Sequence, residues 1–214
     1  MTSPYANNRP VIQKKFETDI GLLTVEGPVS EQLIKELEIN SGLNAFRPAM
    51  RQKEALQEIA ALEDGWVIVA HHQGVLVGYV TFHPAEEFER WGRANIGEIR
   101  ELGAIEVAPG FRHYGLGKAL MGVAFADVAM ENYIVLSTEY YWHWDLEGTG
   151  LNIWEYQQVM TKLMQSVGMV RRDTDDQEIT AHPANMLMVR VGKNVAAKPI
   201  ENFEGLLFVK NKRS

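Results

Sequence analysis

Residues 101–118, ELGAIEVAPGFRHYGLGK, hold the side chains and spacings best suited to chemistry. An apolar run ends at Pro109, and a short loop then delivers Arg112, Gly115 and Gly117 into a helix-forming run. The first turn of a helix carries backbone N–H groups without intrahelical partners, and the helix dipole adds partial positive charge. Glycines at 115 and 117 let a ligand approach that backbone, while Arg112 and Lys118 add full charges. Such a site suits an anion, and a pyrophosphate spans it well. The competing reading is a tight turn or close helix packing. Two other phosphate loops are excluded. Lys118 is followed by Ala119 where a Walker loop needs Ser or Thr. Arg112 stands where a dinucleotide fingerprint needs its first glycine. Gly103 inside the preceding strand marks either a bulge or simple packing.

Beyond that stretch, the run Tyr140, Tyr141, Trp142, His143, Trp144, Asp145 has two readings. Alternate rings can fill a core at a strand end, or the run can be an aromatic platform for a protein partner. The six histidines show no metal-ligand spacing, so no metal site is expected. No Gly-x-Ser-x-Gly elbow exists for a serine hydrolase. There is no cysteine, which removes disulfides, thiolate metal sites and thiol nucleophiles and suits a reducing compartment.

The elements that must position these residues follow from length and pattern. A chain of 214 residues that is 46% apolar can build a sizeable core. Its net charge of −7 argues against a general grip on nucleic acid. No segment approaches the roughly 20 apolar residues of a membrane span. A cytoplasmic protein with neither nucleic acid nor membrane as partner is expected. Residues 1–13 read as a flexible arm, 14–195 as the domain, and 196–214 as an extension of uncertain packing.

The pattern alternates strands and helices, an α/β arrangement. A strand is expected over 20–26, and Ser30 can cap a helix reaching about Glu38. Pro48 can open the next helix. Gln73 and Gly74 form a hairpin turn between two apolar runs, and 84–98 read as a helical insertion. The motif strand and helix follow, then a strand over 133–141, a helix over 151–168 and a late strand over 185–192.

Val107-x-Pro109-x-x-Arg112-x-x-Gly115-x-Gly117 resembles the acetyl-CoA motif of the Gcn5-related N-acetyltransferase (GNAT) superfamily, and the order of elements is similar to that fold. The resemblance implies a mixed, mostly antiparallel twisted sheet flanked by helices and splayed between the motif strand and the next. Segments 45–48, 89–91, 102–109, 130–135, 138–154 and 182–185 further resemble the AcuA family of acetoin-utilization protein acetyltransferases. That likeness implies a protein acceptor, the catalytic lysine of acetyl-CoA synthetase, which acetylation switches off. The alternatives are a small-molecule amine acetyltransferase and a non-catalytic regulator that binds acetyl-CoA.

The resemblance also implies roles. The backbone of Ile105 through Val107 would pair with pantetheine amides. Arg112, His113, Tyr114, Gly115, Leu116, Gly117 and Lys118 would hold the pyrophosphate, and Asn152 would bond pantetheine or cap a helix. Counting back from the loop, Glu101 matches the general base, with Glu106 as rival and Glu139 third. In an undistorted strand Glu101 and Glu106 face opposite ways. Tyr141, Trp142 and Trp144 would meet the partner. Met164 occupies the place of the usual tyrosine acid, which leaves Tyr156, Tyr140 or Tyr141 as stand-ins, or an unprotonated thiolate.

Overall fold

In the computed structural model, which describes residues 10–209, β1 (Ile12–Thr18) turns back into β2 (Gly21–Gly27). Then come α1 (Glu31–Glu36), β3 (Glu38–Ile39), α2 (Ala49–Ala61), β4 (Trp66–His72) and β5 (Val75–His83). Next are α3 (Arg90–Arg93), β6 (Ile99–Val107), α4 (Leu116–Ala126), β7 (Ile134–Glu139), α5 (Leu146–Thr149) and α6 (Ile153–Gln165). The last elements are β8 (Val170–Arg172), α7 (Gln177–Thr180), β9 (Met186–Val191) and α8 (Ala197–Leu207). The chain divides into two compact units. One comprises residues up to His83 with Leu102–Asp127, the other Pro84–Glu101 with the chain from Val128 onward. Strand β6 contributes to both.

In the first unit β1, β2, β4 and β5 pair antiparallel in that order, and β3 adds a short parallel pairing to β5. Gln73 and Gly74 close the β4–β5 hairpin with φ of 47° and 80°. Two successive positive values match the right-handed twist of the strands. Ser30 caps α1 by accepting from the Leu33 N–H at 3.3 Å. That helix ends at Glu36 because Glu38 and Ile39 are drawn into pairing with β5. Neighbouring residues of β5 serve two layers, as strand alternation demands. Tyr79 joins the core made with Ile34, Leu56 and Val67, whereas a Cβ on Gly78 would meet Leu120 of α4 at 3.4 Å.

In the second unit β6 pairs in parallel with β7 for three residues only, Ile99↔Ile134 to Glu101↔Leu136. The rest of β7 pairs antiparallel with β9, and β9 with β8. Trp91, Ile99, Leu136, Leu187, Phe203 and Leu207 form its core. Trp91 of α3 and Phe203 of α8 meet ring to ring at 5.8 Å. Asn152 and Glu155 cap α6 reciprocally, and Gly168 ends the following turn at φ 83°.

Several expectations are corrected. The arm expected to reach residue 13 overlaps β1, which starts at Ile12 and lies against β2; residues 1–9 fall outside the described part. The insertion over 84–98, expected to be helical, is helical only over Arg90–Arg93. The strand expected over 133–141 stops at Glu139, and residues 141–143 form a 3-10 turn. The extension from 196 folds as α8, with Phe203 wholly buried. Phe203→Ala should therefore lower stability by about 3–5 kcal/mol. The check is the midpoint of urea unfolding; an unchanged midpoint would mean α8 contributes nothing to its unit.

Candidate active site

Strand β6 is fastened along one edge. The Ala104 N–H donates to Thr81 Oγ1 at 3.1 Å and the Ala108 N–H to the Val77 carbonyl at 2.9 Å, both on β5. Backbone groups alternate along a strand. Those of Gly103, Ile105 and Val107 therefore point away from β5. The Val107 carbonyl on that far side accepts from Arg112 Nε at 3.0 Å. The guanidinium that the sequence offers as a charge beside the pyrophosphate also ties the loop to the strand. Gly103 has a packing reason. A Cβ there would lie 2.3 Å from His83 Nε2.

The loop after β6 is a 3-10 turn over Pro109–Tyr114. Its rings stack in sequence, Phe111 beside Tyr114 at 6.4 Å and His113 on Tyr114 at 4.0 Å. The Tyr114 hydroxyl donates to Asp19 Oδ1 at 2.8 Å. Gly115 then takes φ 70°, a left-handed conformation that a β-branched residue resists, and starts α4. No side chain caps this helix, and the first intrahelical bond into its start runs from Ala119 N–H to the Gly115 carbonyl at 3.1 Å. The N–H groups of Leu116, Gly117 and Lys118 thus lead the helix without intrahelical partners. Apart from its chain neighbours and the backbone of its own helix, no heavy atom of the described residues lies within 4 Å of where a Gly115 Cβ would sit. Tyr114, Gly115 and Lys118 also line a cavity of about 600 Å³ with Lys14 and Phe16. A bare helix start with open space before it suits a phosphate-bearing ligand.

The three carboxylates differ in what they touch. Glu106 is buried and fully engaged: it accepts from the Tyr79 hydroxyl at 2.7 Å and from the Ala45 N–H at 2.8 Å. Burial first, then the Glu106 charge, push the Tyr79 phenol well above its usual range. This pair holds the segment before α2 against β6, so Glu106 is a structural residue. Glu139 accepts from Ser137 Oγ at 2.9 Å and Trp144 Nε1 at 3.2 Å, and burial outweighs those two bonds to raise its pKa. Glu101, in the second unit, is only 8% exposed, and its Oε2 is buried without a partner. Burial, the charges of Glu89 and Glu86, and a hydrogen bond with Glu89 push its pKa up to about 8. A carboxyl poised there is a competent base near neutral pH. Glu89 and Glu86 were missed from sequence. The acidic run just ahead of β6 was visible, but its return to Glu101 was not.

The aromatic run splits. Trp144 is buried at 9%, bonded to Glu139 and stacked on Tyr156 at 5.3 Å. Trp142 is 50% exposed and stacks on Tyr140 at 4.8 Å. Tyr141 rests on His182 at 4.3 Å, and its N–H donates to Asn185 Oδ1 at 3.1 Å. Asn152 is occupied as the cap of α6, accepting from the Trp154 and Glu155 N–H groups. Met164 is wholly buried, so no proton donor stands at that helix position. Among the described residues no group of three or more His, Cys, Asp or Glu is placed to hold a metal ion. Nor is any helix among them long and apolar enough to cross a membrane.

The sign of the Glu101 shift gives a test. Between the ordinary carboxyl value of 4.5 and about 8, the unfolded chain has lost this proton while the folded chain keeps it. Rising pH in that window therefore favours unfolding. Glu101→Gln does not titrate, so its melting temperature relative to wild type should climb between about pH 5 and about pH 9. A difference independent of pH would contradict the raised carboxyl.

Comparison with known proteins places this arrangement. A model of the family described as "Acetyltransferase (GNAT) family" matches residues 34–143. The acetoin utilization protein AcuA of Bacillus subtilis (strain 168) is 48% identical over 193 residues, 90% of this chain and 92% of that protein. AcuA of Bacillus licheniformis is 47% identical over 195 residues, 91% and 93% of the two chains. The crystal structure of an acetoin utilization protein from Exiguobacterium sibiricum 255-15 superposes with a TM-score of 0.93. It shares 45% identity and covers 96% of this chain and 97% of that one.

Proposed function

This chain belongs to the acetyltransferase (GNAT) family, whose co-substrate is acetyl-CoA, and on that premise we propose that it acetylates a lysine of a protein. The acceptor is the catalytic lysine of acetyl-CoA synthetase, as the likeness of residues 138–154 and 182–185 to AcuA implies. The observation that carries the reading is the uncapped start of α4 with Gly115 left-handed and open space before it. Bound acetyl-CoA supplies an activated thioester carbonyl.

The N–H groups of Leu116, Gly117 and Lys118 receive the pyrophosphate, and the Lys118 ammonium adds charge. The outward backbone groups of Ile105 and Val107 pair with the pantetheine amides. A free lysine, with a pKa of about 10.4, is only ~0.1% neutral near pH 7.4, a handicap of roughly 4 kcal/mol. Glu101 removes it by taking the ammonium proton, directly or through water. The freed nitrogen attacks the carbonyl, the carbon–sulfur bond breaks, the coenzyme departs as thiolate, and the nitrogen gives up its second proton to water or to that thiolate. Since a thiol ionises near pH ~8.5, that group needs little help, consistent with an apolar Met164. The exposed Trp142 and Trp154 support a protein acceptor, because such rings anchor interfaces.

Three measurements bear on this. Gly115→Val, which puts a β-branched residue at φ 70°, should abolish acetyl-CoA binding in calorimetry with the circular dichroism spectrum retained; unchanged affinity would remove the phosphate-loop assignment. Glu101→Gln should lower kcat about 10²–10⁴-fold at neutral pH, with partial recovery at high pH. The assay is mass spectrometry of purified acetyl-CoA synthetase, run beside polyamines and amino acids. Acetylation of the small amines alone would favour the small-molecule reading, and tight complex formation without acetylation the regulator. Trp142→Ala should raise KM for the protein acceptor and leave KM for acetyl-CoA unchanged.

A further inference from the structure

Strand β6 opens at residue 103. It is buried from Ile99 to Leu102, and Gly103 is then exposed. Its pairing with β7 ends at Glu101. On the neighbouring strand, the half-buried His83 closes β5, and its ring fills the space that a side chain at 103 would take. The tip of the ring does so: Nε2 is the atom nearest to where a Gly103 Cβ would stand, ahead of Cδ2 at 3.0 Å.

In the proposed reading the pyrophosphate sits at the start of α4, and the pantetheine amides pair with Val107 and then Ile105. The arm therefore runs back along β6 toward Gly103. Two methylene groups separate the last pantetheine amide from the sulfur. A strand advances about 3.3 Å per residue, so those two carbons carry the sulfur roughly one residue past Ile105, and the acetyl carbonyl beyond it to the level of Gly103. The carbonyl arrives where the strand lacks a side chain and an imidazole nitrogen stands instead. Making an amide from an ammonium releases two protons. Glu101 takes the first, before attack. The second leaves the nitrogen after attack, when that atom carries a positive charge beside the tetrahedral carbon. Imidazole suits this second transfer because it accepts and releases protons near neutral pH.

We propose that His83 is a catalytic residue of the transfer: its Nε2 takes the proton from the nitrogen of the tetrahedral adduct and hands it to the sulfur as the carbon–sulfur bond breaks. The electron pair of that bond goes to sulfur, the imidazolium proton quenches the thiolate as it forms, and the coenzyme leaves as the thiol. The nitrogen keeps one hydrogen in the amide, and His83 ends neutral. Glycine at 103 leaves room for the ring to reach the reacting atoms. The inference rests on the acetyltransferase reading.

Placement is tested on protein isotopically labelled in its histidine rings. It is titrated with acetyl-CoA and, separately, with adenosine 3′,5′-bisphosphate, which lacks the pantetheine arm. The His83 ring signals, identified by their loss in His83→Gln, should shift with acetyl-CoA and stay in place with the bisphosphate. Turnover is read by mass spectrometry of the acceptor. His83→Ala should lower kcat about 10²-fold, leave KM for acetyl-CoA unchanged, and regain activity when free imidazole is added. Gly103→Ala, whose Cβ displaces the tip of the ring, should also lower kcat, yet add little in a His83→Ala background because both changes remove one interaction. Ring signals that acetyl-CoA leaves in place, a wild-type kcat in His83→Ala, or a folded His83→Ala that imidazole does not restore would each overturn the role. Should His83→Ala not fold, a wild-type kcat in Gly103→Ala overturns it instead. A shifted ring in wild-type protein that acetylates neither acetyl-CoA synthetase nor small amines would reject the transferase reading, and the proton role with it; normal transfer by His83→Ala would reject the proton role alone.

Discussion

Strand β6 is fastened to β5 along one edge, and the buried Glu106 carboxylate is the interaction that the arrangement around it depends on. Its carboxylate lies inside the first unit, answered by a phenol on β5 and by the Ala45 N–H. An unpaired carboxylate there would cost several kcal/mol, so each partner is needed to keep the charge buried. The result fixes β6 against β5 and the segment before α2 in one step. Arg112 then ties the following loop to the Val107 carbonyl. The start of α4 is thereby set at a defined distance from the end of the strand.

The electrostatics follow from this arrangement. A chain of net charge −7 does not attract an anionic cofactor through its overall field. Attraction has to be local, and in the proposed reading it comes from oriented backbone amides supplemented by Lys118. Gly115 is left-handed at the start of α4, and among the described residues no side chain caps those amides. Substituting fixed dipoles for mobile charges also spares the side-chain entropy that a cluster of flexible lysines would lose on binding.

Glu101 and Glu106 sit five positions apart on one strand with opposite fates. Glu106 is satisfied by hydrogen-bond donors and serves stability. Glu101 is surrounded by burial and by other carboxyls, so its charge is disfavoured and its basicity raised. Such an arrangement weakens the fold as pH rises, a penalty that structures tolerate where chemistry needs it. Glu139 is intermediate: it is buried, but engaged by Ser137 and Trp144.

The sequence by itself determined what depends on neighbours in the chain. The hairpin at Gln73 and Gly74, the cap at Ser30, the end of the long helix by Gly168 and the bare start of α4 are all local chemistry, and each formed where its residues stood. The turn over 109–114 and the helix after Gly115 were legible for the same reason. Tertiary structure decided which residues meet over long separations. It gave Glu106 to Tyr79 and Ala45, and brought Glu89 back onto Glu101. It turned the aromatic run into a 3-10 turn that buries Trp144 and exposes Trp142, and it packed α8 through Phe203. None of these has a local signature, because loop closure and burial are set by the whole set of competing contacts rather than by any one segment's propensity.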